Sequence, residues 1–182
     1  MNLPNKLTLA RVLMIPFFVV FMLVDIFGAA DKYVAVCIFA IASITDMLDG
    51  KIARKYNLVT NFGKFMDPMA DKLLVCSALI CLIGSKLHAW IVIIIIGREL
   101  IISGFRTIAA DNGVVIAASM WGKYKTTSQM IMIILLIINL NFIWFEVLEY
   151  IFIYLSLLLT VISLVDYLVK NKSVISDGGM SK

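Results

Sequence analysis

Charge is scarce in this chain. Only 15% of its 182 residues are Asp, Glu, Lys or Arg, and 62% are apolar. A soluble domain of this size needs a far larger polar fraction to cover its surface. Hydrocarbon must therefore be most of its solvent, and a mean hydropathy of +1.01 agrees. Histidine is nearly absent: the lone His88 sits by a turn on the face opposite the aspartates discussed below, which sets it aside as a catalyst. The three cysteines, Cys37, Cys76 and Cys81, all lie in apolar stretches. None has a zinc or redox spacing, so they read as small buried hydrophobes and exclude a disulfide scaffold. The net charge of +4 is too small and too dispersed to point to nucleic acid. The first apolar run lacks a small-residue cleavage site and is expected to remain as a helix.

Six apolar segments can be drawn, at 7–27, 33–52, 64–84, 88–108, 120–139 and 142–169. A spanning helix needs about 20 residues, and most of these segments reach that length only by carrying charge near one end. Charged residues at such positions are functional suspects. With the N-terminus in the cytoplasm, the external turns hold Lys32 and Lys86, while the other basic residues fall on or near the cytoplasmic side, as the positive-inside rule requires. The expected fold is all-α: a bundle of six transmembrane helices with both termini cytoplasmic. Residues 1–172 form a single domain in this reading, and 173–182 a disordered polar tail. A short interfacial segment precedes the first span, with Asn5 or Thr8 as its cap. Trp90 and Trp144 are expected near the external interface.

The most informative stretch is Asp46-x2-Asp49-Gly50-x2-Ala53-Arg54-x8-Gly63-x3-Asp67-x3-Asp71. On a helix Asp46 and Asp49 point about 60° apart, and Asp67 and Asp71 about 40° apart, so each pair shares a face. The pairs lie on consecutive segments joined by a cytoplasmic turn, which would bring them to a similar depth. Four carboxylates there repel one another unless cations sit among them, and hard oxygen ligands suit Mg²⁺, Mn²⁺ or Ca²⁺. Such a cluster at a membrane face suits phosphate chemistry. Gly50 lets a ligand approach the helix backbone, Ala53 keeps that surface shallow, and Arg54 can pair with phosphate. Asp25, Asp31, Asp111, Glu146, Glu149 and Asp177 read mostly as solvated loop or helix-end charges.

These eight residues over 26 positions resemble, without one departure, the signature of the CDP-alcohol phosphatidyltransferase family. The resemblance implies a multi-pass enzyme of a bacterial plasma membrane, with its active site facing the cytoplasm and a homodimeric assembly. By it, Asp46, Asp49, Asp67 and Asp71 would hold Mg²⁺ or Mn²⁺, as two ions. Asp49, Gly50, Ala53, Arg54 and Gly63 would lie against the CDP moiety of the lipid donor, CDP-diacylglycerol. Asp71 would be the general base that takes the proton of the acceptor hydroxyl.

A second cluster bears on the acceptor. Arg98 and Arg106 lie eight residues apart, about 80° around a helix, and Lys123 and Lys125 follow Trp121-Gly122. Such a concentration of cations suits a phosphorylated acceptor, whose charge must be desolvated and paired. Lys125 alone reads as a topological charge. Asn5-x-Leu-Thr with Arg11, Asp67-Pro-x-Ala-Asp-Lys72, Gly97-Arg-Glu, Gly104-x-Arg106 and Gly122-Lys-x-Lys-Thr-x2-Gln129 resemble the branch of the family whose acceptor is sn-glycerol 3-phosphate. Arg98, Arg106 and Lys123 would then hold its phosphate. The rivals are an inositol-phosphate acceptor within the family, a divalent-cation transporter with the aspartates as its pathway, and a non-catalytic membrane scaffold.

Overall fold

A computed structural model describes residues 3–55, 61–111 and 119–171. The architecture is all-helical, with six α-helices among the described residues: α1 Leu3–Leu23, α2 Asp31–Lys55, α3 Asn61–Cys81, α4 Ala89–Asp111, α5 Met120–Ile138 and α6 Ile143–Lys170. Each falls on one of the apolar segments. Among the described residues three stretches are long and apolar enough to cross a bilayer: Asn5–Leu23, Gly28–Asp46 and Ile143–Lys170, with mean hydropathies of 2.0, 1.4 and 2.2. The helices outside them, α3, α4 and α5, are those that carry Asp71 and Lys72, Arg98 and Glu99, or Lys123 and Lys125. The molecule is a membrane protein.

The chain forms two compact units, Met1–Ile83 and Gly84–Lys182. In the first, α1 packs on both α2 and α3. Phe18 meets Phe39 with ring centroids 5.9 Å apart, and Ala35, Ala42, Ala70 and Ala78 are buried. Small side chains let helix backbones approach closely, which is how helices associate where lipid removes the usual hydrophobic drive. The α1–α2 connection is tied by Asp31, whose carboxylate accepts from the backbone N–H of Ile26 at 2.9 Å and of Phe27 at 3.0 Å. Asp31 is buried rather than solvated, because capping a turn consumes its oxygens. Helix α1 runs unbroken from Leu3, so the expected interfacial segment is continuous with the first span. Pro4 fits there, since backbone N–H groups of a first turn have no helical acceptor. Asn5 and Thr8 are buried within the helix.

In the second unit α6 packs on both α4 and α5. Its buried positions are Glu149, Ile153, Ser156, Thr160, Ser163 and Tyr167, a repeat of fours and threes that marks one continuous seam. Five of those six carry polar groups. Two contacts fix the helix directions: Lys86 reaches Glu149 and, twelve residues on, Arg98 reaches Ser163, fourteen residues beyond Glu149. Helices α4 and α6 are therefore parallel. Helix α5 ends at Asn139, which takes the left-handed conformation (φ 43°) and donates to the Leu135 carbonyl at 2.9 Å, and α6 follows antiparallel. At 28 residues α6 is about 42 Å long, more than a hydrocarbon core of roughly 30 Å. Trp90 and Trp144 are both exposed. The cysteines depart from expectation: Cys37 is exposed and Cys76 and Cys81 are half-buried. An outward face in lipid is as apolar as a core, so apolar sequence context does not report burial here.

Candidate active site

In the first unit the eight residues of the signature lie on two helices. Asp46 and Asp49 are on α2, which continues through Gly50, Ala53 and Arg54, and Gly63, Asp67 and Asp71 are on α3. The helical spacing that puts each pair on one face is therefore present in the backbone. The side chains of Asp49, Ala53, Arg54 and Asp67 lie outside the described residues. Asp71 is half-buried on α3 next to the buried Ala70.

Asp46 is held from the neighbouring helix. Arg11 of α1 is fully buried, and its Nη1 donates to Asp46 Oδ1 at 2.6 Å while its Nε donates to the Ala42 carbonyl at 3.2 Å. One rigid guanidinium thus grips two points a turn apart on α2. From sequence, Arg11 is a basic residue of the cytoplasmic side and a member of the Asn5-x-Leu-Thr motif, with no role of its own. The signal for it was available: an arginine inside a spanning segment needs a partner. A carboxylate has about four lone-pair sites, so a bond to Arg11 does not exhaust Asp46. Among the described side chains no three potential ligands converge, and two of the four aspartates lie outside that set. The donor chemistry, four carboxylates and no thiolate or imidazole in the signature, fits a hard divalent cation.

In the second unit Arg98 sits almost wholly buried on α4. Its Nε donates to Ser163 Oγ on α6 at 3.1 Å, and its Nη1 to Glu99 Oε1 at 2.8 Å. The same Glu99 oxygen accepts from Lys125 Nζ, and Lys125 is 2% exposed on α5. Gly122, in the first turn of α5, faces the guanidinium: a Cβ there would lie 3.6 Å from Arg98 Nη2. The turn is capped by Ser119, whose hydroxyl accepts from the Gly122 N–H at 3.2 Å. Two cations, Arg98 and Lys125, meet one oxygen of Glu99 in a water-poor setting where charge acts strongly.

Of the three basic residues proposed from sequence, Arg98 stands in this cluster, whereas Arg106 and Lys123 are exposed. Lys125, expected to be a topological charge, is the lysine that α5 turns inward. Lys123 and Lys125 differ by about 200° around the helix, and the polar run from Lys123 to Gln129 covers every face of α5, so it gives no phase from which to choose between them. Glu149 also differs from the solvated charge expected. It is fully buried, with Lys86 Nζ 2.5 Å from its Oε2 and 3.7 Å from Glu146. Its hydrogen bond to Lys86, with the charge of the pair, raises the ammonium above its ordinary value of 10.5. Glu149 precedes Ser163 by fourteen residues, about 21 Å along α6, so this pair is remote from Arg98.

Comparison with known proteins gives the same direction. The CDP-alcohol phosphatidyltransferase profile matches residues 1–162. A Bacillus subtilis protein is 45% identical over 93% of this chain and 95% of its own length. A Haemophilus influenzae protein is 40% identical over 97% and 96%, and one from Salmonella typhi 41% over 92% and 93%. All three bear the name CDP-diacylglycerol–glycerol-3-phosphate 3-phosphatidyltransferase. With its aspartate signature intact and likeness running nearly end to end, the chain belongs to the CDP-alcohol phosphatidyltransferase family.

Proposed function

We propose that this protein transfers the phosphatidyl group of CDP-diacylglycerol to sn-glycerol 3-phosphate, giving phosphatidylglycerol phosphate and CMP. The observation that carries this reading is the shared name of relatives that are 40–45% identical over more than nine-tenths of both chains. A buried pair of cations, Arg98 and Lys125 on Glu99, supports a phosphorylated acceptor, and a cation transporter gives no reason for it.

Asp71 takes the proton of the primary hydroxyl of glycerol 3-phosphate. The freed oxygen attacks the β-phosphorus of the CDP-lipid, a new P–O bond forms, and the pyrophosphate bond breaks to release CMP. Gly50, Ala53 and Gly63 leave room for the cytidine and its diphosphate, and Arg54 pairs with phosphate oxygens. Asp46, Asp49, Asp67 and Asp71 hold Mg²⁺ or Mn²⁺, which supply charge neutralisation at the pyrophosphate when bound. Arg98, with Arg106 and Lys123, receives the acceptor's phosphate. The protein acts as a homodimer in a bacterial plasma membrane. Six spans with cytoplasmic termini place the aspartates on the cytoplasmic side, residues 1–172 form one domain, and the polar tail 173–182 lies outside the described residues.

The test is an acceptor screen with labelled CDP-diacylglycerol and purified protein in detergent, comparing glycerol 3-phosphate, inositol phosphate, serine and glycerol. CMP release should require glycerol 3-phosphate and be abolished by a chelator. Equal release with unphosphorylated glycerol would sink the acceptor assignment, and release unaffected by chelation would sink the metal assignment.

A further inference from the structure

Arg98 is held on two of its donor groups before any ligand arrives. Ser163 is suited to be one of the holders because its own proton is already used: its hydroxyl donates to the Thr160 carbonyl at 2.9 Å. Its lone pairs are thereby turned outward, toward Arg98 Nε at 3.1 Å. Behind it, Thr160 donates to the Ser156 carbonyl at 2.6 Å, and the Ser156 and Ser128 hydroxyls meet at 2.9 Å across α5 and α6. The acceptor that meets Nε is thus fixed by the helix seam and does not wander as a surface serine would. The second holder, Glu99, takes Nη1 and spaces Arg98 from Lys125 with a single shared oxygen. Nη2 makes no hydrogen bond among the described residues, and it faces the α5 backbone at Gly122, where a side chain is missing.

We infer that Ser163 is a positioning residue for acceptor recognition: by anchoring Arg98 Nε from α6, it turns the Nη2 edge of the guanidinium toward the acceptor's phosphate. This rests on the proposed role of Arg98 as a phosphate ligand. A planar guanidinium recognises phosphate only when its N–H edge lies in the right plane. Two pinned donors leave that plane no rotational freedom, so the ordering is complete before binding and is not charged to it. The pinning also makes lysine a poor substitute at position 98, since an ammonium has no Nε through which Ser163 can act.

The experiment is steady-state kinetics of Ser163→Ala in detergent, with glycerol 3-phosphate and CDP-diacylglycerol varied separately. The KM for glycerol 3-phosphate should rise about tenfold, the effect of one charge-assisted hydrogen bond. The KM for CDP-diacylglycerol and kcat should stay within about twofold. A purely structural serine would instead lower thermal stability without separating the two KM values. Repeating Ser163→Ala in an Arg98→Lys background should add less than about twofold, because a residue that acts through another is silent once that other is changed. The same tenfold rise in that background overturns the inference, as does an unchanged KM in the single variant. Should Ser163→Ala fail to fold, Ser163→Cys has nearly the same volume with a weak acceptor and must give the same rise. Wild-type protein that shows no dependence on glycerol 3-phosphate overturns the functional reading itself. Wild-type saturation with an unmoved Ser163→Ala overturns the positioning role alone.

Discussion

The Arg11 clamp gives a prediction that can be worked through in magnitude. Replacing Arg11 with Met keeps much of the buried volume on α1 but removes both donors. The bond from Nε to the Ala42 carbonyl is a buried hydrogen bond with a net worth of about 1 kcal/mol. That carbonyl lies within α2 and keeps its place in the helical ladder, so no orphaned acceptor adds to the loss. The bond from Nη1 to Asp46 is charge-assisted, and such bonds run about 1.5–3 kcal/mol. Asp46 is 35% exposed and can recover some solvation, so the lower end applies. The expected destabilisation is therefore at least about 2 kcal/mol, or roughly 4–8 °C in Tm for a chain of this size. Arg11→Lys should fall between, because one ammonium cannot reach both points with the geometry of a fork. Thermal unfolding of the detergent-solubilised protein, followed by far-ultraviolet circular dichroism so that the helices of both units are read, measures this. An Arg11→Met protein that melts with the wild type would show that the α1–α2 grip contributes nothing and that the buried guanidinium is incidental.

Other outcomes follow from the same geometry. Asp71→Asn should abolish CMP release while CDP-lipid binding partly survives; retention of most turnover would remove Asp71 as the base. Arg106→Ala should mainly raise the KM for glycerol 3-phosphate, and an unchanged KM would take Arg106 out of the phosphate site. Lys86 is raised above its ordinary 10.5, so its pairing with Glu149 contributes fully below pH 10.5 and is lost as pH climbs through the raised folded value. Accordingly, Tm should be flat through neutral pH and fall only in strong alkali, and Glu149→Gln should remove that alkaline fall. Lys86→Met should lower Tm more than Glu149→Gln, since it strands a fully buried carboxylate; the reverse order in a melting assay would refute the clasp.

Much of the fold could be read from residues because lipid imposes simple rules. Long apolar runs must be helical to satisfy their own backbone, and the six segments and the turn at 139–141 follow from that. The aspartate signature was equally plain, since its spacing encodes helix faces directly. What escaped is information that depends on helix phase. In a soluble helix the polar side points to water, but the start of α5, from Lys123 to Gln129, is polar on every face. Nothing in Lys123-Tyr124-Lys125 says which lysine turns inward. Glu149 was read as solvated because it stands near a helix start. Its burial depends on Lys86 reaching it from 63 positions earlier, a contact that local sequence cannot show. Arg11 and Ser163 are alike in this: each matters through a partner on another helix.

The hydroxyl-rich seam of α6 also bears on how the protein enters its membrane. Ser128 and Ser156 satisfy one another across the α5–α6 pair. Pulled apart in hydrocarbon, each would lose that partner at a cost water cannot relieve. The two helices are joined by only a few residues and have every reason to insert as a zipped hairpin. The last third of the chain is thereby one hydrogen-bonded hairpin, and it carries the serine that Arg98 of α4 meets.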